Sequence, residues 1–596
     1  MNQAEQLITD NLDIWTATIQ NKTSTGRGSS KKQELYGIKK LRELILELAV
    51  RGLLLPQDPS DEPASVLLEK IASEKERLVK KGKIKKAQKV QTVGDEETPF
   101  NLPDGWVWSR LSEFAQIAPR NESEDGIEVS FIPMPLISTA YDGAHQQESK
   151  TWGEVKKGYT HFADGDIAVA KITPCFENSK AAVFSNLKNG IGAGTTELHV
   201  ARPYSDLIDR NYVLLYLKAP QFLLVGQTKM TGSAGQKRVP KDFFALNPLP
   251  LPPEAEQPRI VAKVDELMSL CDQLEQQTEA SLTAHQTLVE TLLKALLDAA
   301  QSRDHGSRKE SAFEQAWQRI ADHFDVLFTT EHSIDKLKQT ILQLAVMGKL
   351  SEPKDDDGDI DTLIDNIFEE RRSRISAKKD VDILEACYDS AKMGINDNRT
   401  EVKARFFCDF ITKGTTPSKS ELLDEGEIPF LKVYNIVNQQ MDFDYKPIFI
   451  SKETHEQNLK RSILYPGDVI MNIVGPPLGK VAIVTEQYSE WNMNQALAVF
   501  RPVPGIYNKY IYLALSAKST LESVLKEVKG TAGQDNLSLE QCRDLLIPIP
   551  SLEEQYRVVE KVEQLMDVCK DLKSRIVISD ATRLNLADAM SECALN

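Results

Sequence analysis

This chain is written twice. The stretch Ala234-Gly235-Gln236 returns as Ala532-Gly533-Gln534, 298 residues further on. The same offset, with no gap, pairs Pro250, Pro252, Glu256, Gln257, Arg259, Val264, Leu267, Met268, Cys271 and Leu274 with Pro548, Pro550, Glu554, Gln555, Arg557, Val562, Leu565, Met566, Cys569 and Leu572. A second block, Lys40-Leu41 to Gly52-x-Leu54, recurs as Lys336-Leu337 to Gly348-x-Leu350 at an offset of 296. The N-terminus is echoed too: Ile8, Asp10, Asp13 and Ile14 are answered by Ile320, Asp322, Asp325 and Val326, 312 residues on. The first copy therefore carries 16 extra residues, and the Ser/Gly/Lys-rich residues 21–32 in that interval read as a flexible loop.

Short periods signal solenoids; a period near 300 signals two whole modules. Residues 102–230 and 400–528 resemble each other only faintly, although well-matched blocks flank both. A repeated scaffold with diverged inserts is the pattern expected of two readers, each recognising something different. The chain divides into a helical region (1–101), a first diverged domain (102–252), a long helix (253–300), a helical region repeating the N-terminus (301–399), a second diverged domain (400–550) and a second long helix (551–596).

Each long helix follows a Pro-x-Pro. Val264, Leu267, Cys271 and Leu274 alternate at spacings of three and four, as do Val562, Leu565, Cys569 and Leu572. That is a heptad seam, made polar in the middle of the first copy by Thr278, Ser281 and His285. Two such helices most simply bury their seams against each other, forming a rigid spacer about 60 Å long. Cys271 and Cys569 read as small core residues. His285 reads as a residue that fixes register.

The inserts carry short apolar runs punctuated by Gly, Pro and Asn, among them residues 132–137, 167–172 and 181–184 in the first and 430–433, 468–473 and 481–484 in the second. The expected class is α+β: two mixed, strand-rich domains separated by a two-helix coiled-coil spacer, with a pseudo-twofold internal repeat. Ala163-Asp164-Gly165-Asp166 and Tyr465-Pro466-Gly467-Asp468 read as the same turn entering a strand.

Composition narrows the function by exclusion. Seven cysteines without a C-x-x-C pair, and eight scattered histidines, build no zinc site and suit a reducing cytoplasm. The longest apolar run, residues 44–55, is broken by Glu47 and Arg51, so no membrane span is expected. Gly190-Ile191-Gly192-Ala193-Gly194 precedes a strand pattern rather than a helix, so it reads as a turn, not a cofactor loop. Residues 475–480 are too short for a phosphate loop and lack its Ser/Thr. No set of residues suggests catalysis. The net charge of −16 disfavours nucleic acid as a whole-chain property, yet residues 70–89 hold nine basic side chains and residues 226–241 hold Lys229, Lys237, Arg238 and Lys241.

Several further marks come in order. Leu-Pro-x-Gly-Trp stands at 102–106, and Gly-Thr-Thr-Pro-Ser at 414–418. The turn before Asp166 and Asp468 is used twice, and each Ala-Gly-Gln is followed by Pro-x-Pro and Glu-Gln-x-Arg. In this order the chain resembles the specificity subunits of type I restriction–modification systems, in the larger subfamily with a long N-terminal region. The resemblance implies a non-catalytic subunit whose inserts are target recognition domains, each reading one half of a split double-stranded DNA site. It implies that the helices set the spacing and dock two adenine methyltransferase (modification) subunits, with motor-nuclease subunits joining through the complex. S-adenosylmethionine, ATP and Mg would then sit on those partners and no cofactor on this chain.

Base reading needs bidentate donors and acceptors, with cations on phosphate. The candidates are Lys171, Thr173, Lys229, Gln236, Lys237 and Arg238 in the first domain. In the second they are Lys432, Tyr434, Asn435, Asn472, Lys480, Lys529, Gln534 and Asn536. Gln236 and Gln534 carry an alternative role, tying insert to helix. Two other classes remain open at this point: a coiled-coil adaptor whose inserts bind proteins, and an enzyme with an unfamiliar site.

Overall fold

The repeated apolar block folds as two helices, Tyr36–Val50 and Glu331–Val346. The first is buried continuously from Leu44 to Val50, so it is covered on more than one face. Thr330 caps the second, its hydroxyl accepting from the Ser333 amide at 3.1 Å. The computed structural model describes residues 3–22, 32–84, 90–233, 235–301, 311–475, 478–525 and 536–595. The 21–32 segment falls largely outside them; at its ends Gln20–Lys22 pairs antiparallel with Lys32–Glu34.

Two compact units result. One comprises residues up to Ser281 together with Ser579 onward, the other Leu282–Ile578. The long helices Glu256–Gln301 and Leu552–Leu595 each begin in one unit and end in the other. Within the first unit Val264, Met268 and Cys271 share a core with Ile38, Leu41 and Ile45, and Ala587 and Met590 join the same core. Arg42 binds Asp272 and Glu275, and the Tyr36 hydroxyl donates to Asp588 at 2.7 Å. The second unit repeats this. Val562, Cys569, Val289, Leu293 and Leu296 share a core with Ile334 and Ile341, while Lys573 pairs with Glu331 and Asp335. The seam residues are buried in these shared cores: Val264 and Cys271 with the 36–50 helix and with Ala587 and Met590 of the other long helix, and Val562 and Cys569 with the 331–346 helix and with Val289, Leu293 and Leu296. Leu267, Leu274, Leu565 and Leu572 lie half-buried beside them. Burial pushes the Cys271 thiol up to about 11, as a core residue requires. The seam turns polar at Thr278 and Ser281, where the helix passes from one unit into the other, and the His285 ring meets the Val326 carbonyl at 3.1 Å.

Each diverged domain hangs from a two-stranded neck. The entering strand pairs antiparallel with the leaving one: Val107–Arg110 with Pro248–Leu251, and Arg399–Lys403 with Leu546–Pro550. Beyond the neck the first domain forms a sheet in the order Ala115–Ile117, Leu198–Pro203, Ile167–Ala170, Ala181–Val183. The second forms Cys408–Lys413, Leu497–Pro502, Val469–Asn472, Val481–Ile483 in the same order. A second sheet in each, four-stranded in the first domain and three-stranded in the second, contains one parallel pair, Glu128–Ile132 with Ile191–Gly194 and Ile428–Leu431 with Asn492–Met493. Two expectations change. Residues 134–136 form a 3-10 turn rather than strand, because Pro133 and Pro135 remove donors. Of the Gly190–Gly194 run only Gly190 stays in a turn, and Ile191–Gly194 is a strand. Its glycines let Phe162 lie against it, since a Cβ on Gly192 would come within 2.4 Å of that ring.

The matched Glu-Gln-x-Arg fastens each long helix to its own unit. Gln257 is fully buried; its carbonyl accepts from the Asp209 amide at 2.7 Å and its NH2 donates to the Pro252 carbonyl at 3.3 Å. Gln555 does the same with Tyr507 and Pro550, at 2.8 and 3.0 Å. Arg259 binds Asp61, and Arg557 binds Asp357 at 2.6 Å. Glu256 accepts from the Trp106 indole at 2.9 Å, whereas Glu554 takes Arg399 and the Ser351 hydroxyl. The repeated glycines make room for those partners: Gly52 and Gly348 sit at φ +70 and +69, and a Cβ on either would strike Pro103 or Arg399.

Replacing Gln257 with Leu strands a buried N–H and a buried carbonyl, so folding stability is expected to fall by about 2–4 kcal/mol. Gln555→Leu should cost the same. Denaturant unfolding of each variant checks this, and an unshifted midpoint would show the amide to be dispensable.

Candidate nucleic-acid interface

Both domains build the base of their loops on the same ion pair. Asp166 is fully buried, and its carboxylate takes Arg202 through Nε and Nη2 at 2.8 and 2.7 Å. Its Oδ2 also accepts from the Ala163 amide at 2.7 Å, closing the turn that the repeat suggested. In the second domain Asp468 takes Arg501 through the same atoms, both at 2.7 Å, and accepts from the Tyr465 amide at 2.8 Å. A bidentate pair fixes both position and plane. The strands Ile167–Ala170 and Val469–Asn472 therefore leave these turns in a fixed direction, toward the loops that carry the candidates.

In the first domain the candidates come together. Isolated bridges join Ile172 to Arg238 and Thr231 to Arg238. The Thr173 amide donates to the Lys237 carbonyl at 3.0 Å, and the Val239 amide to the Lys171 carbonyl at 2.8 Å. One loop, 171–180, thus lies against the segment 229–239. Lys229, Gln236 and Lys237 are exposed and Lys171 half-exposed. Arg238 is already engaged: its Nε and Nη2 donate to Glu197, both at 2.9 Å, and that pairing holds the Glu197 carboxyl below its ordinary value. Glu197 was visible in the sequence only as a strand residue. Nothing local marked it as the anchor of a cation 41 positions away. His199 stacks on Phe244 with centroids 5.4 Å apart and meets the Val239 carbonyl at 2.9 Å; burial lowers its proton affinity. Gln236 is not the tie between insert and helix. Its backbone N–H donates to the Ser233 carbonyl at 3.0 Å and its carbonyl accepts from Arg238 at 3.2 Å, both within its own segment, and Gln257 makes the tie.

In the second domain the described candidates also form one set, but they differ in what their side chains can offer. Asn435 is buried: it accepts from the Lys432 amide at 3.0 Å and donates to the carbonyls of Asp442 and Tyr445 at 3.2 and 3.1 Å. Asn472 is buried too, accepting from the Val474 amide at 2.9 Å. Both amides are spent on shaping their loops. The Lys480 ammonium donates to the Ile436 carbonyl at 3.2 Å, joining the 432–437 turn to the 472–480 loop. Asn536 is exposed and bridges Val474, the counterpart of the Ile172–Arg238 bridge. Among the described residues the Tyr434 hydroxyl reaches the Lys446 carbonyl, at 3.4 Å. Lys529 and Gln534 lie outside the described residues, as do Pro476 and Pro477 of the 475–480 run.

Among the described residues no group of His, Cys, Asp or Glu could hold a metal ion, and no helix is long and apolar enough to cross a membrane. The first domain offers exposed cations and an exposed amide on paired loops, and the second an exposed amide, Asn536, beside half-buried Lys432 and Lys480, over a shared framework. Its duplication matches a known pattern. A family model described as "Type I restriction modification DNA specificity domain" fits residues 103–284 and, a second time, 400–578. The chain belongs to the type I restriction–modification specificity subunits. This specificity subunit is 44% identical over 600 positions to the "Type I restriction enzyme EcoAI specificity subunit" of Escherichia coli, spanning 99% of this chain and 100% of that one. It is likewise 44% identical over 607 positions to the EcoEI specificity subunit of Escherichia coli, at 99% and 100% coverage. A solved chain described under "Structural basis underlying complex assembly and conformational transition of the type I R-M system" is 17% identical. It has a TM-score of 0.46 and covers 84% of this chain and 99% of its own.

The two domains give contrasting expectations for substitution. Lys237→Ala should weaken DNA binding on all sequences alike and reduce the slope of log K against log salt by about 1, with the melting temperature unchanged. Asn435→Ala should instead cost about 1–3 kcal/mol of stability. Titrations of the assembled complex across salt concentrations, with melting curves beside them, separate the two; an unaltered slope would remove Lys237 from the phosphate contacts.

Proposed function

We propose that each diverged domain of this specificity subunit reads one half of a bipartite DNA site. The paired loops, 171–180 with 229–239 and 472–480 with Asn536, face the bases or phosphates, and the long helices hold the two halves at a set separation. The observation that carries this reading is the combination of an identical framework with different loops. Neck, sheet order, Asp–Arg pair and helix anchor repeat, whereas the side chains presented at corresponding loops do not. A duplicated scaffold with two unlike recognition surfaces suits a split, asymmetric sequence.

Chemistry would come from other chains. The subunit would dock two adenine methyltransferase subunits and, through the complex, motor-nuclease subunits. S-adenosylmethionine, ATP and Mg would be bound by those partners, and the adenine would be flipped into a partner's pocket. The cytoplasm is where such a complex meets DNA.

Methylome sequencing of cells carrying this chain with its cognate methyltransferase, against cells lacking the chain, tests the reading. The expected result is a split motif bearing N6-methyladenine on both strands, lost with the chain. Exchange of residues 102–252 for another such domain should alter one half of that motif and leave the other half and the spacing alone. A verified complex that methylates no motif would leave a protein-binding adaptor as the function.

A further inference from the structure

Lys218 is a charged side chain with no place on the surface. It ends the helix Arg210–Lys218 and is 3% exposed. Its ammonium donates to the Ser179 carbonyl at 2.7 Å. Ser179 closes the 171–180 loop from below. Its φ is +53, its amide donates to the Phe176 carbonyl at 2.9 Å, and its hydroxyl donates to the Thr139 carbonyl at 3.3 Å. The second support beneath the loop is Phe176, fully buried against Phe222 and seated over Gly226, where a Cβ would come within 2.3 Å of the ring. A ring and an ammonium thus hold the underside of a loop whose upper side carries Lys171 and Thr173.

The matched position in the second copy is Ser516. Its hydroxyl turns back to the Tyr512 carbonyl of its own helix at 2.7 Å, so an uncharged side chain stands where the first copy has its lysine. The helix is repeated and the lysine is not. We propose that Lys218 is a positioning residue for the first domain alone, holding the 171–180 loop at the height from which it reads its half-site. This inference rests on the reading of that loop as a DNA contact. Around the ammonium stand the Ser179 carbonyl from the loop and Asp142 from the turn packed beside it. Burial pushes the amine down to about 7, and Asp142 pulls it the other way. The bond to Ser179 is therefore charge-assisted below that pH and weaker above it. The sign for overall stability is opposite. A lysine whose folded value is depressed gains stability for the fold as pH rises toward its unfolded value. Loss of recognition on raising the pH would not be unfolding.

The test uses the full chain assembled with its methyltransferase subunits. Binding is measured on the cognate site and on two variants, one with the first-domain half scrambled and one with the other half scrambled. Lys218→Met is expected to reduce discrimination at the first half by about tenfold, with the second half unchanged, and Ser516→Ala to change neither. Wild-type discrimination at the first half should weaken between about pH 6 and about pH 8.5 while that of Lys218→Met stays flat. Equal losses at both halves, or a wild-type profile as flat as the variant's, would overturn the proposal. If the wild-type complex fails to discriminate at the half assigned by domain exchange, the DNA-reading function itself fails instead.

Discussion

A carboxamide buried away from water must satisfy both its ends within the protein. Gln257 and Gln555 do so in the same way, and much of the architecture hangs on the result. Each takes one hydrogen bond from the start of a domain helix and gives one to the carbonyl just before a long helix. Strand exit, domain helix and long helix are thereby fixed to one point. The phenols above repeat the device, Tyr212 donating to Pro250 and Tyr510 to Pro548 at 2.6 and 2.7 Å. The Pro-x-Pro therefore serves as a row of acceptors at the end of the exit strand. Its carbonyls are the atoms to which the rest of each unit is tied.

From that point outward, constraint relaxes in steps. The neck strands pair along their whole length, and the Asp–Arg pair fixes the turn at the far side of the sheet. Only then do the copies part company. In the first domain a cation is held by Glu197 and a lysine stands under the loop. In the second, two asparagines spend their amides inside the loops they shape. Domains of one topology can present different surfaces because the parts that differ carry none of the ties that close the fold.

The repeat made the architecture legible. Matched blocks at a constant offset announced two modules, and the shared turn before Asp166 and Asp468 proved to be one structure used twice. The meaning of Glu-Gln-x-Arg was not legible, because its partners lie far along the chain: Asp61 is paired with Arg259, and Asp357 with Arg557. The seam was legible as apolar, but the 36–50 and 331–346 helices that share its cores were not, since periodicity tells which face is buried and not everything that covers it. For the candidate site, residue type was a poor guide. Asn435 and Asn472 have the chemistry of adenine readers, but burial and backbone partners commit them elsewhere. Only coordinates separate an amide that shapes a loop from one that faces outward.

Each long helix starts in one unit and finishes in the core of the other. Residues 289–296 complete the second unit's core, and residues 587–590 the first's. Neither half of the chain therefore owns all of its interior. A polypeptide ending near residue 301 would carry a helix tail with nothing to cover, and its 36–50 helix would lack the segment that closes it. The two tails are not copies of each other: where one brings Val289, Leu293 and Leu296, the other has Ala587, Ser591 and Ala594, so each socket is closed by a tail of its own size. The exchange of tails makes each unit a joint product of both repeats, so that neither interior can be completed before the whole chain is present.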